Sequence, residues 1–179
     1  MKYNAEALIN ENQSHKYLFF WGHQAAKDGS VTKSCFSQWW HAPFTVNEIE
    51  YKTAEHWMMA KKAILFNDKE IFEKIMLSKS PAEAKKLGRE VTNYIDSVWL
   101  ENRFDIVKEG NFHKFSQNEE LKTFLLNTGD RILVEASPVD TIWGIGLTGD
   151  DENASRPEKW KGLNLLGFAL MEIRDQLRK

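Results

Sequence analysis

The pattern of hydrophobic and polar positions along this chain changes period several times, and each change marks an element. Tyr17-Leu18-Phe19-Phe20-Trp21 is a short apolar run that predicts a strand within an irregular, aromatic-rich first forty residues, and Lys27-Asp28-Gly29-Ser30 predicts a turn. Phe44-Thr45-Val46 and Ile49-Glu50-Tyr51 flank Asn47-Glu48 and predict a hairpin. From Thr53 the spacing becomes helical, and Trp57, Met58, Met59, Ile64, Leu65 and Phe66 fall on more than one face, which predicts a helix packed from several sides. Ser80-Pro81-Ala82-Glu83 joins an N-cap, a proline at the first helical position and an early glutamate, so a helix begins there and stops near Gly88. Further helices are predicted from about Asp96 to Glu109 and from about Asn118 to Asn127, the second ended by Gly129. Ile132-Leu133-Val134-Glu135-Ala136 reads as a strand. A terminal helix carries Leu163, Leu166, Leu170, Ile173 and Leu177 as a core face, with Arg174, Arg178 and Lys179 near its end, where cations suit the helix dipole. Five or more helical patterns against three or four brief strands predict a helix-rich α+β fold with a small, short-stranded sheet.

Composition narrows the class. At 179 residues and 42% hydrophobic content the chain can build a real core, and nothing asks for more than one domain over residues 1–179. The first residues lack the basic-then-apolar pattern of a signal peptide, and no apolar run approaches the ~20 residues of a membrane span, so a soluble, cytoplasmic protein with no membrane partner is expected. The single cysteine, Cys35, permits no internal disulfide and no thiolate cluster. A net charge of −2 argues against a broad phosphate-neutralising surface. Any nucleic-acid substrate must be gripped locally.

The segment Thr53-Ala54-Glu55-His56 through Lys62 carries the candidate chemistry. Two helical turns return close to the starting azimuth, so Glu55, Met59 and Lys62 share a face. Their separation along the axis is about 10 Å, but helical side chains lean toward the N-terminus, which carries the Lys62 amine back toward Glu55. An acid and an amine can thus converge on one small ligand. The same residues also have a structural reading, in which Thr53 caps the helix and Glu55 is a first-turn acid favoured by the dipole by a few tenths to about 1 kcal/mol. Apolar surroundings would desolvate either group and shift its pKa. Among the seven tryptophans, Trp99 and Trp143 stand beside polar or glycine-rich neighbours, where an indole can stack on a flat heterocycle.

Other chemistries are excluded by context. The five histidines are scattered, without an HExxH pair or cysteine partners, so neither a zinc site nor any other metal site is expected. Gly144-Ile145-Gly146-Leu147-Thr148-Gly149 matches a dinucleotide fingerprint by letter. The acidic stretch after it cannot open an apolar helix and would repel a pyrophosphate, although the glycines still allow close backbone approach to a ligand.

Taken in order, the motifs resemble those of the NADAR, or YbiA-like, family. The resemblance rests on Cys35-Phe36-Ser37-Gln38-Trp39, with Gln38 where asparagine is usual; on Thr53-Ala54-Glu55-His56 followed by Lys62; and on Leu87-Gly88-Arg89. It continues through Trp99 ahead of Lys114-Phe115, Leu133-Val134-Glu135, Asp140 ahead of Trp143-Gly144, and Asn164-Leu165-Leu166-Gly167 with Leu170-Met171-Glu172. What it implies is an N-glycosidase that cuts between ribose C1 and an amino nitrogen without metal or redox cofactor. The implied substrate is ADP-ribose on guanine, as nucleoside or in DNA or RNA held locally, with an ADP-ribosyltransferase as the opposing activity. Phosphoribosylamino-pyrimidine intermediates of riboflavin synthesis are the alternative, and a non-catalytic ADP-ribose or nucleotide reader is the other class. By the same resemblance Glu55, Trp99 and Asp140 are site residues with Lys62 the fourth. Glu55 would stabilise the sugar cation or activate water, Asp140 would hold ribose hydroxyls or take a second carboxylate role, and Trp99 would stack on the base or close the pocket. Lys62 would orient Glu55 or attack C1 of a ring-opened sugar as an amine nucleophile. Arg89, and less directly Lys61, would contact phosphate, and Phe36, Ser37, Trp143, Gly144 and Asn164 would help bind the ligand.

Overall fold

The computed structural model describes residues 1–11 and 14–179. Among them the order is α1 (Ala5–Asn10), β1 (Tyr17–Phe20), β2 (Phe44–Val46), β3 (Ile49–Tyr51), α2 (Ala54–Leu65), α3 (Lys69–Leu77), α4 (Pro81–Gly88), α5 (Asp96–Ser116), α6 (Glu119–Leu126), β4 (Ile132–Glu135) and α7 (Leu165–Leu177). The architecture is helix-rich α+β. Its strands form two separate pairs: β1 runs parallel to β4 with Tyr17 opposite Ile132, and β2 runs antiparallel to β3 with Phe44 opposite Tyr51. The Cα trace groups into two compact units, one of Met1–Ser37 with Glu119–Lys179 and one of Gln38–Asn118.

In the Gln38–Asn118 unit the hairpin turns at Asn47 (φ 50°) and Glu48 (φ 64°), the left-handed pair that a tight two-residue connection requires. It leads into α2, where the Thr53 hydroxyl accepts the His56 amide. Helices α3, α4 and α5 and strand β3 all pack on α2, which buries every residue from Ala54 to Ala60. Helix α3 has no counterpart in the sequence reading. Asp68 caps it by accepting from Ile71 N, and its other oxygen accepts from the amide and hydroxyl of Thr92, both at 2.8 Å. Helix α5 outruns its expected end at Glu109 because Gly110 serves packing and does not stop the helix. A Cβ there would meet Trp57 Cδ1 at 2.3 Å, and the same indole donates Nε1–H to Ile106 O at 2.8 Å.

In the other unit α7 lies against β4, and Leu166, Leu170 and Ile173 are buried. Leu163, expected on that core face, precedes the helix and is 51% exposed. Arg174 lies in the last turn, as expected, and is a buried guanidinium, donating from one nitrogen to Thr128 Oγ1 and Arg131 O at 2.8 Å each. Helix α1, capped by Asn4 on the Ala7 amide, was also not anticipated.

Candidate active site

The Gln38–Asn118 unit assembles Lys62, Trp99 and a residue that the sequence reading missed. Gly88 lacks a side chain where α4 ends on α2, and a Cβ there would fall 2.0 Å from Met59 Sδ. That close approach lets the Gly88 carbonyl accept a hydrogen bond from Lys62 Nζ at 2.8 Å. The amine also lies 4.5 Å from the Tyr94 ring centroid and 5.5 Å from that of Trp99. Tyr94 sits in the α4–α5 connection, its hydroxyl donating to Asp96 Oδ1 at 2.9 Å, and 41% of it is exposed. No ion pair reaches Lys62 among the described residues, which separates it from its neighbour Lys61, whose Nζ lies 4.0 Å from Glu109 Oε2. The two rings and the carbonyl favour an ammonium, but burial opposes it more strongly and pushes the amine below its usual pKa. Two of the expected site residues, Lys62 and Trp99, are therefore brought together.

Glu55 is buried at the start of the same helix, 3% exposed, and its amide donates to Gln38 O at 3.0 Å. The unit buries further polar side chains, Gln38, Asn111 and Lys114. Asn111 Nδ2 donates both to Gln38 Oε1 at 2.6 Å and to Val107 O at 2.9 Å. Asn111 went unnoticed in the sequence, since a lone asparagine in a helix of mixed polarity carries no periodic signal. His56 is buried as well, with Nδ1 2.8 Å from Thr53 Oγ1. Arg89 caps the end of α4 and is exposed.

The remaining expected residues belong to the other unit. Asp140 Oδ1 accepts the amides of Ile142 and Trp143 at 2.9 and 2.8 Å, and its own amide donates to Ser137 Oγ. This turn leaves Oδ2 with no hydrogen bond among the described residues. Gly144 fits where a Cβ would lie 2.8 Å from Glu135 O, so the loop passes directly against β4. Asn164, at φ 53°, uses both amide atoms on that strand, accepting from Glu135 N and donating to Leu133 O at 3.0 Å each. Phe36 is wholly buried between Phe20 and Phe124, with ring centroids 5.3 and 5.5 Å away. Ser37 and Trp143 are partly exposed. Among the described residues no three His, Cys, Asp or Glu side chains come together as a metal site.

Several relatives of this chain are N-glycosidases. An N-glycosidase of Acanthamoeba polyphaga mimivirus is 44% identical over 169 residues, which covers 92% of this chain and 98% of the relative. N-glycosidase YbiA of Escherichia coli (strain K12) is 33% identical over 144 residues, 80% of this chain and 79% of that one. The NMR structure of E. coli YbiA matches with a TM-score of 0.72 at 28% identity, covering 94% of this chain and 90% of the other. The NADAR domain matches residues 19–178, and the chain belongs to that family.

Proposed function

We propose that this protein is an N-glycosidase that removes ADP-ribose from ADP-ribosylated guanine, with Lys62 as an amine nucleophile. The enzyme class, a hydrolase of N-glycosyl bonds, is that of its relatives in the NADAR family. The observation that carries the reading is the Lys62 amine, half-buried, held by Gly88 O and bounded by Tyr94 and Trp99, with its pKa lowered. A lowered pKa enlarges the neutral, nucleophilic share of the amine at any given pH, and two flanking rings suit a bicyclic base.

Departure of a base nitrogen from C1 leaves positive charge on the sugar, so the reaction needs a nucleophile, negative charge near C1 and a proton for the leaving nitrogen. In the proposed sequence the Lys62 Nζ lone pair forms a bond to C1. The C1–N bond breaks, its electron pair goes to the base nitrogen, and that nitrogen takes up a proton. Loss of the Nζ proton and opening of the sugar ring gives an imine. Water adds to the imine carbon, and the amine leaves, which returns Lys62 and frees the ADP-ribose aldehyde. Glu55, on the same helix, supplies the carboxylate for charge stabilisation and water activation, and Arg89 contacts phosphate.

The test is release of ADP-ribose from ADP-ribosylated guanosine, run beside release of ribose 5-phosphate from the phosphoribosylamino-pyrimidine. Turnover of the first is expected. Turnover of the second alone reassigns the substrate, and tight binding of ADP-ribose with neither turnover makes the chain a reader.

A further inference from the structure

The side-chain amide of Gln38 is a buried donor whose orientation is forced. Gln38 is 7% exposed and Asn111 is 0% exposed. The Val107 carbonyl, 2.9 Å from Asn111, can only accept, so the facing Asn111 atom must be Nδ2. The same Nδ2 reaches Gln38 at 2.6 Å, so the facing Gln38 atom must be the acceptor Oε1. This leaves Gln38 Nε2 as a donor and Asn111 Oδ1 as an acceptor, both buried and neither with a hydrogen-bond partner among the described residues. Burying such a group unmatched costs about 1–3 kcal/mol, and native proteins rarely leave one so. A hydroxyl satisfies a donor and an acceptor together, accepting from the first and donating to the second. The place is next to Glu55, whose amide donates to the carbonyl of this same Gln38.

We infer that Gln38 is a specificity-determining residue whose Nε2, with Asn111 Oδ1, recognises the ribose hydroxyl adjacent to C1. The inference rests on the N-glycosidase reading for the identity of the ligand, because a carboxylate that serves C1 must have the neighbouring hydroxyl close by. Hydrogen bonds to that hydroxyl strengthen as the sugar becomes cationic, so the contact favours the transition state as well as binding. A bound water has the same chemistry as the sugar hydroxyl, and the two are separated by the ligand's response.

The experiment measures binding of ribose 5-phosphate and of 2-deoxyribose 5-phosphate by intrinsic tryptophan fluorescence, to the wild type, to Gln38→Met and to Gln38→Glu. Glutamate keeps the acceptor that Asn111 needs and replaces the donor with a charged acceptor, while methionine removes both without charge, so a folding failure of either leaves the other to decide. Circular dichroism reports which variants fold. We expect the wild type to prefer the ribo compound by about tenfold, the worth of one hydrogen bond, and the variants to bind the two sugars equally. Equal binding by the wild type, a preference retained in the folded variants, or binding of neither sugar overturns the assignment. Release of ADP-ribose is followed in parallel: discrimination between the sugars without turnover sinks the enzymatic reading alone, and turnover without discrimination sinks the Gln38 assignment alone.

Discussion

Lys62 and Gly88, on different helices, are joined by a hydrogen bond of 2.8 Å from the amine to the carbonyl. The bond depends on a glycine that lets the two helices touch, and it fixes the amine between Tyr94 and Trp99. A general structural lysine would find a carboxylate. This one has a carbonyl and two rings, which hold its position and favour its charge less than burial disfavours it.

The first prediction follows from that pKa direction. Burial lowers the Lys62 pKa from its ordinary 10.5, so the neutral fraction grows with pH from a lower starting point than in a free lysine. The single-turnover rate is expected to rise with pH and to level off below 10.5. Borohydride added during turnover should trap a sugar on Lys62. Lys62→Arg keeps the charge but stays protonated, so it should abolish both rate and adduct. An arginine variant that retains a measurable rate without an adduct would show that the amine only orients other groups.

Glu55→Gln preserves shape and hydrogen-bonding reach while removing the negative charge that a cationic sugar requires. Hydrolysis should fall by at least about a hundredfold, with the circular dichroism spectrum and thermal transition retained. Activity within a few-fold of wild type would reduce Glu55 to a helix-end acid.

How much of this was legible in the sequence depends on whether the signal was local. The Thr53 and Ser80 caps, the Asn47-Glu48 hairpin and the apolar wrap of α2 could be read because capping, turn and period are written in adjacent residues. Helix α3 was missed because its buried face is short, Ile71 and Ile75, and its cap, Asp68, draws half its function from the distant Thr92. The end of α5 was misplaced because glycine signals both termination and close packing, and only Trp57 decides between them. Within the site, Lys62 and Trp99 carried local cues. Tyr94 did not, and the Gln38–Asn111 pair spans a sequence distance that no periodicity bridges.

Gly110→Ala should separate the two meanings of that glycine. In an isolated helix the change gains up to about 1 kcal/mol of propensity. Here the new Cβ would sit 2.3 Å from a rigid indole carbon, and overpacking of that kind costs about 1–3 kcal/mol. The variant should lose stability in urea titration by a net of up to about 2 kcal/mol. A stabilised variant would mean that α5 shifts freely away from Trp57.

Asp140 should behave differently toward two substitutions. Asparagine can retain the Oδ1 contacts to the Ile142 and Trp143 amides and removes only the charge, so Asp140→Asn should keep its melting temperature and lose activity. Asp140→Ala removes the turn contacts as well and should lose both. If the asparagine variant is fully active on ADP-ribosylated guanosine, the residue shapes its loop and takes no part in the reaction.

His56 gives the protein a pH dependence of known sign. Burial first, then the Lys52 cation, lowers its pKa below 6.5, with His41 acting in the same direction and Glu83 and the Ser78 backbone opposing. The neutral ring is held by Thr53 Oγ1 at 2.8 Å at the head of α2. When the folded pKa lies below the unfolded one, the unfolded chain binds more protons in the interval between them, so stability falls as pH drops through 6.5 and the loss ends once the folded ring also protonates. Carboxylates whose pKa is lowered in the fold, such as Asp68 and Asp175, lose their contribution only at lower pH. Melting temperatures from about pH 7.5 to 5 therefore isolate the imidazole effect from those acids. His56→Gln should be less stable than wild type near neutrality, since it disturbs a buried cap, yet flatter across that interval. If the variant and the wild type decline in parallel, the acid sensitivity lies elsewhere, and His56 is protonated as readily in the folded protein as in the unfolded chain.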